Sequence, residues 1–139
     1  MSAAIDTSVV VAAMIASENF HEPCRALVAK GESLMYSHGI AETFSTLTGG
    51  KKPFRLAAGT AAELLAEHFV PRLTITSLTS AEMLRALREA ESRGVQGGGI
   101  FDYLHLVAAR KARAAKFYTL NLSNFRACHR AGDPEIVHP

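Results

Sequence analysis

Residues 4–12, Ala4-Ile5-Asp6-Thr7-Ser8-Val9-Val10-Val11-Ala12, decide the fold. A short apolar run ends in an acid, two hydroxyl residues follow, and a second apolar run begins. That order predicts a strand over Ala3–Asp6 feeding a helix that carries Val9 to Ile15, with Thr7 or Ser8 as its cap. Asp6 itself has an ordinary role open to it, as cap or as acceptor for the helix N-terminus.

Working outward, the same alternation returns. Pro23 suits the first turn of a helix over about Glu22–Lys30, which Gly31 ends. Ser33–Ser37 reads as a second strand. A helix from Ser37 or His38 to Thr48 stops at Gly49-Gly50, with Ile40, Phe44 and Leu47 as its apolar stripe. Thr60/Glu63 and Thr79/Glu82 have the capping-box spacing ahead of apolar runs. Between them Leu73–Leu78 is strand-like. Gly94–Gly99 reads as a flexible loop, Ile100–Ala114 as a helix, and Phe117–Leu120 and Ile136–His138 as the last strands. Strands alternating with helices give an α/β fold, a central parallel sheet with helices on both faces. Its binding crevice is expected at the carboxyl ends of the strands.

The 139 residues suffice for one domain and not for two ordinary ones. Hydrophobic residues make up 48% and charged residues 20%, which excludes a disordered chain. Fifteen basic against thirteen acidic residues leave +2, too weak a bias to demand or exclude a nucleic acid. Two distant cysteines, Cys24 and Cys128, make neither a disulfide framework nor a zinc knuckle. Each is expected to be an inert, partly buried thiol. Asp6 interrupts the first apolar run and no basic leader precedes it, so neither a signal peptide nor a membrane anchor is expected, and the cytoplasm is the expected location.

Three acids stand in suggestive places. Glu42 lies roughly 200° around its helix from Ile40, away from the apolar stripe. Asp102 follows Gly97-Gly98-Gly99 and opens an otherwise apolar helix, where an acid favours the dipole. Asp6 ends the first strand. Singly, each has a structural explanation. Together they form a set that, gathered at one sheet edge, would repel unless protonated or bridged by a cation. Magnesium takes one or two carboxylates, waters and substrate phosphate.

The motifs resemble those of the PIN-domain family, and in particular its VapC group of toxin ribonucleases. AIDTSVVVA resembles the family's first motif, HGIAETFSTLT the glutamate-bearing second, GGGIFDYLHLVAA the third, and YTLNLSNF the fourth at a strand end. All come in the family's order. The resemblance implies a PIN-like three-layer sandwich spanning residues 1–139 and a metal-dependent endoribonuclease. Asp6, Glu42 and Asp102 would bind Mg²⁺ or Mn²⁺, with Thr7 or Ser8 as a supporting hydroxyl. It further implies an RNA substrate, a cognate VapB-like antitoxin that blocks the acidic pocket, and a homodimer. Met14, Ile15, Phe20 and Phe69 exceed what one core obviously holds, which suits association.

The fourth motif departs from the family's pattern. Many members carry an acid there; here the candidates for the site are Asn121 and Asn124, which offer a carbonyl oxygen but no charge. That departure favours a second reading, a non-catalytic or weakly active PIN-like module that binds RNA or protein. A receiver-type phosphotransfer domain would want a clustered acidic pair at the first strand and a lysine at the last, and neither is evident. His105 lies one turn from Asp102 and could reach the same site, but among Leu104, Leu106 and Val107 it reads as a packed or rim residue. Lys51–Arg55 reads as a solvated basic loop that could also meet RNA.

Overall fold

The computed structural model describes residues 2–139. Five strands form one all-parallel sheet: β1 (Ala3–Ile5), β2 (Ser33–Tyr36), β3 (Thr74–Thr76), β4 (Lys116–Tyr118) and β5 (Glu135–Val137). Their order is β3-β2-β1-β4-β5, so the winding direction reverses at β1. Ala4 pairs with Leu34 on one side and Phe117 on the other, and Ile5 pairs with Tyr118. Because side chains alternate along a strand, Ala4, Leu34, Tyr36 and Phe117 face one layer of helices while Ile5, Met35, Ile75 and Tyr118 face the other.

The second layer holds α1 (Thr7–Met14), α2 (His21–Ala29) and α3 (His38–Thr48). Five consecutive α1 residues, Val9 to Ala13, are buried. A helix that is apolar all round belongs inside, and α1 is covered by α2 and α3. The opposite layer holds α5 (Ser80–Glu89), α6 (Gly99–Lys111) and α7 (Leu122–Cys128); the helix α4 (Ala58–Leu64) continues through a π turn and a 3₁₀ turn to Arg72. This is the expected three-layer α/β architecture.

Several local expectations change. Asp6, not Thr7 or Ser8, caps α1: its side chain accepts the Val9 N–H while Thr7 and Ser8 lie inside the first turn. Thr79 and Glu82 form the expected capping box, with bonds of 3.1 and 2.8 Å. Thr60 and Glu63 do not, because α4 starts earlier, at Ala58, and Thr60 is exposed within its first turn. The buried face of α3 is Gly39, Thr43 and Leu47, rotated from the expected Ile40/Phe44/Leu47 stripe. Gly39 permits this: a Cβ there would lie 2.7 Å from Met35 Sδ and 3.0 Å from His105 Cε1, so a larger residue would force those side chains to shift.

Helix α7 has no counterpart among the expected elements. Its apolar anchors, Phe125 and Cys128, span a single turn, too short a pattern to register as periodicity. The glycine run before Asp102 brings no close approach of backbone to a neighbour. Gly97 takes φ +56°, which an L side chain resists, but a Cβ at Gly97 or Gly98 would meet nothing within 4 Å, and Gly99 already belongs to α6. Met14 and Phe69 pack on the core beside α1, whereas Phe20 is 53% exposed with its edge against His138. Both cysteines are free and buried. No described helix is long and apolar enough to cross a membrane.

Candidate metal and nuclease site

The reversal of strand order between β1 and β4 opens a crevice at their carboxyl ends, the place where open parallel sheets bind ligands. A pocket of about 350 Å³ lies there. Asp6 comes to it from the end of β1, Glu42 from the second turn of α3, and Asp102 from the first turn of α6. Three acids separated by 36 and 60 positions in the chain thus line one cavity.

Asp6 is 4% exposed and held on both oxygens. Oδ1 accepts from Ser8 Oγ at 2.5 Å and from the Val9 N–H at 3.3 Å; Oδ2 accepts from Thr119 Oγ1 at 2.7 Å. The two hydroxyls are themselves oriented from behind. Ser8 Oγ accepts the Leu120 N–H at 3.1 Å, and Thr119 Oγ1 accepts the Asn121 N–H at 2.9 Å. Each hydroxyl accepts a hydrogen bond from a backbone N–H and donates its own O–H to Asp6, which stitches the β1–α1 turn to the end of β4. Burial pushes the Asp6 carboxyl above its usual range; the hydrogen bonds from Ser8 and Thr119 oppose that and do not cancel it.

Glu42 is treated differently. Oε1 accepts from Thr7 Oγ1 at 3.2 Å and from His105 Nε2 at 2.5 Å. Half-burial would raise its carboxyl, but the hydrogen bond and charge of His105, with the Thr7 bond, outweigh it and hold Glu42 below the usual range. His105 is 3% exposed, and its Nδ1 is the one buried side-chain polar atom without a partner among the described residues. Because carboxylate oxygens only accept, Nε2 carries the proton in this pair.

Asp102 lies at the cavity's outer wall, its Oδ2 3.5 Å from Asn124 Nδ2. Burial raises its carboxyl first, and the nearby Asp6 and Glu42 charges raise it further. Asn121 lines the pocket; Asn124 sits beside Asp102 on the neighbouring glycine-walled depression. Lys52 also reaches the pocket rim, paired with Glu18 at 2.7 Å.

Of the candidates from the sequence, the three acids, Asn121, Thr7 and Ser8 line this pocket, and Asn124 lies on the adjoining depression. Thr119 is not among the sequence candidates, and His105, expected as a packed or rim residue within reach of the site, is both buried and bonded to Glu42. Thr119 had a faint signal as a hydroxyl at a strand end inside the fourth motif. His105 had a better one, standing one helical turn from Asp102.

Among the described residues, no three His, Cys, Asp or Glu side chains form a ready-made cage for a metal ion. The donor chemistry nevertheless fits a hard divalent cation. The donors are oxygens, two of the acids are raised by burial, and Asp102 is raised further by its acidic neighbours. Magnesium asks for few protein ligands and keeps several waters.

The chain is similar to known proteins in sequence and in fold. The family model described as PIN domain matches residues 3–127. Ribonuclease VapC27 of Mycobacterium tuberculosis is 35% identical over 111 residues, 80% of this chain and 79% of that protein. Among solved structures, VapC20 of Mycobacterium tuberculosis, described as a sarcin-ricin loop cleaving toxin, superposes with TM-score 0.71 over 99% of this chain and 100% of its own at 18% identity. VapBC2 of Rickettsia felis, bound to a DNA fragment from its promoter, gives TM-score 0.69 over 100% and 99% at 20% identity. At such identities the structures show a shared fold.

Proposed function

The chain belongs to the PIN-domain family, in its VapC group, and from that premise we propose that it is an endoribonuclease that hydrolyses RNA phosphodiester bonds, acting as the toxin of a VapBC-type toxin–antitoxin pair. The observation that carries the reading is the meeting of Asp6, Glu42 and Asp102 in one pocket at the switch point of the sheet. These carboxylates would hold Mg²⁺ or Mn²⁺. Such an ion, when bound, neutralises phosphoryl charge and lowers the pKa of a bound water.

The chain's own residues supply the positioning. Ser8 and Thr119 hold Asp6 in one rotamer, and Thr7 and His105 do the same for Glu42. Fixed ligands lower the reorganisation needed when charge builds at the phosphorus. Asn124 steadies Asp102, and Asn121 offers a neutral oxygen or amide at the wall. Lys52, at the rim, suits a substrate phosphate, exchanging Glu18 for the RNA backbone. An antitoxin segment presenting a basic side chain would satisfy the same acids and close the site.

Asn121 and Asn124, where many relatives carry an acid, favour the competing reading of a weakly active or non-catalytic binding module. One experiment separates the two. Purified protein freed of antitoxin is incubated with structured RNA and Mn²⁺, with and without chelator. Metal-dependent internal cleavage, lost in a folded Asp102→Asn protein, is the expected result. Intact RNA in every lane, or cleavage undiminished by the substitution, overturns the proposal.

A further inference from the structure

Next to the acids lies a feature that the metal reading leaves unused. Phe101 precedes Asp102 in α6 and is 47% exposed. Its ring stacks on His38, also exposed, with centroids 5.6 Å apart and planes inclined by 16°. His38 leans on Tyr36 at 6.1 Å, and the largely buried Tyr36 meets His105 edge-on at 5.5 Å. The rings form a continuous row from the surface to the histidine that holds Glu42.

This arrangement is costly for a merely structural contact. A phenylalanine left half in water gives up much of its burial energy. Here the ring is anchored on one side by a ladder of three other rings, and its remaining surface is open. The position is also telling. His38, Glu42 and Thr46 occur at i, i+4 and i+8 of α3 and form one stripe, each roughly 6 Å of helix rise from the next. The stripe runs from the exposed ring pair, through the carboxylate, to the rim where Thr46 and Lys52 line the pocket. A strand of RNA laid along it would place a phosphate over the acids, its backbone beside Lys52 and a neighbouring base at Phe101.

We propose that the Phe101–His38 pair is a stacking site for an unpaired nucleobase adjacent to the scissile phosphate. Single-stranded RNA is bound characteristically in this way, with splayed bases on aromatic faces. The site would take any base, since each has a π face, and would favour purines for their larger area. The inference rests on the RNA-cleaving function proposed above.

The test uses the full chain carrying Asp6→Asn, so that bound RNA survives. Fluorescence anisotropy follows binding of an octa-adenylate and of an octamer with abasic riboses. Phe101→Ala and Phe101→Leu are expected to weaken octa-adenylate binding by roughly tenfold, with Phe101→Tyr and Phe101→Trp close to the parent. The abasic octamer should bind all variants alike, because only its phosphates remain. Leu failing where Tyr succeeds distinguishes stacking from simple apolar contact. Equal octa-adenylate binding by Phe101→Ala and the parent overturns the stacking site while leaving the nuclease reading intact. The same holds if sedimentation shows that Phe101→Ala only dissolves a dimer with RNA affinity unchanged, which would assign this face to a second copy. If the otherwise unaltered chain neither binds nor cleaves any RNA, both proposals fall together.

Discussion

Two groups of carboxylates in this molecule are treated in opposite ways. On the α5/α6 face, Asp133 accepts from Arg93 and, at 3.4 Å, from Arg110; Arg110 also bonds Glu89 at 3.1 Å, and Tyr103 donates to Glu89 at 2.6 Å. Arg93 lies over the Tyr103 ring at 5.4 Å. Burial acts to raise Asp133, but Arg93 and the Arg130 N–H hold it below the usual range; Glu89 is lowered chiefly by Tyr103, then Arg110. At the carboxyl ends of the strands, the buried Asp6 and the half-buried Asp102 line one pocket without an arginine partner and both are raised, while Glu42 beside them is held low by His105. Paired acids join elements of the fold. Acids with no cation from their own chain are the ones the proposed function assigns to a metal ion.

The sharpest way to break this contrast is to neutralise one acid of each kind. Asp6→Asn keeps a good helix cap, so the fold should survive while RNA cleavage falls by at least about 100-fold, the scale on which charge-stabilising groups act. Asp133→Asn should do the reverse, costing about 3 kcal/mol in urea unfolding by stranding Arg93 while cleavage per folded molecule is retained. Large activity loss in Asp133→Asn, or none in Asp6→Asn, would dissolve the distinction.

A smaller effect concerns the ion directly. Millimolar Mn²⁺ should raise the thermal midpoint by several degrees, on the order of 1–3 kcal/mol of linked binding. The shift should vanish in Asp6→Asn and Asp102→Asn and persist in Asp133→Asn. An equal shift in all four proteins would mean that the metal acts elsewhere.

The smallest effect is in acid. Asp133 and Glu89 have lowered folded values, so their contribution is present above the ordinary carboxylate range and lost as pH falls through those values. The stability gap between the parent chain and Asp133→Asn should therefore be full at pH 6 and shrink steadily below about pH 4. A gap that widens in acid would show the pairing to be misassigned.

The motif order was legible because each motif is local. Strand, acid, hydroxyls and helix follow one another within the first stretch, and Asp102 opens its helix within thirteen residues. The departures have two causes. Thr60/Glu63 has the capping spacing but no cap, since where a helix begins depends on what its first turn packs against. Helix α7 shows one turn of apolar pattern, below what periodicity resolves.

From its own order of residues the chain determined an alternating α/β architecture, the ends of strands as the place for chemistry, and three acids as candidates, because propensity, capping and polarity act between near neighbours. Only the tertiary structure decided that Thr119, 113 positions away, holds Asp6, that His105, 63 positions from Glu42, fixes it, and that arginines answer Asp133 but not Asp102. Such pairings arise when packed helices and strands dock, and Coulomb and hydrogen-bond energies depend on the resulting distances, which no local spacing encodes.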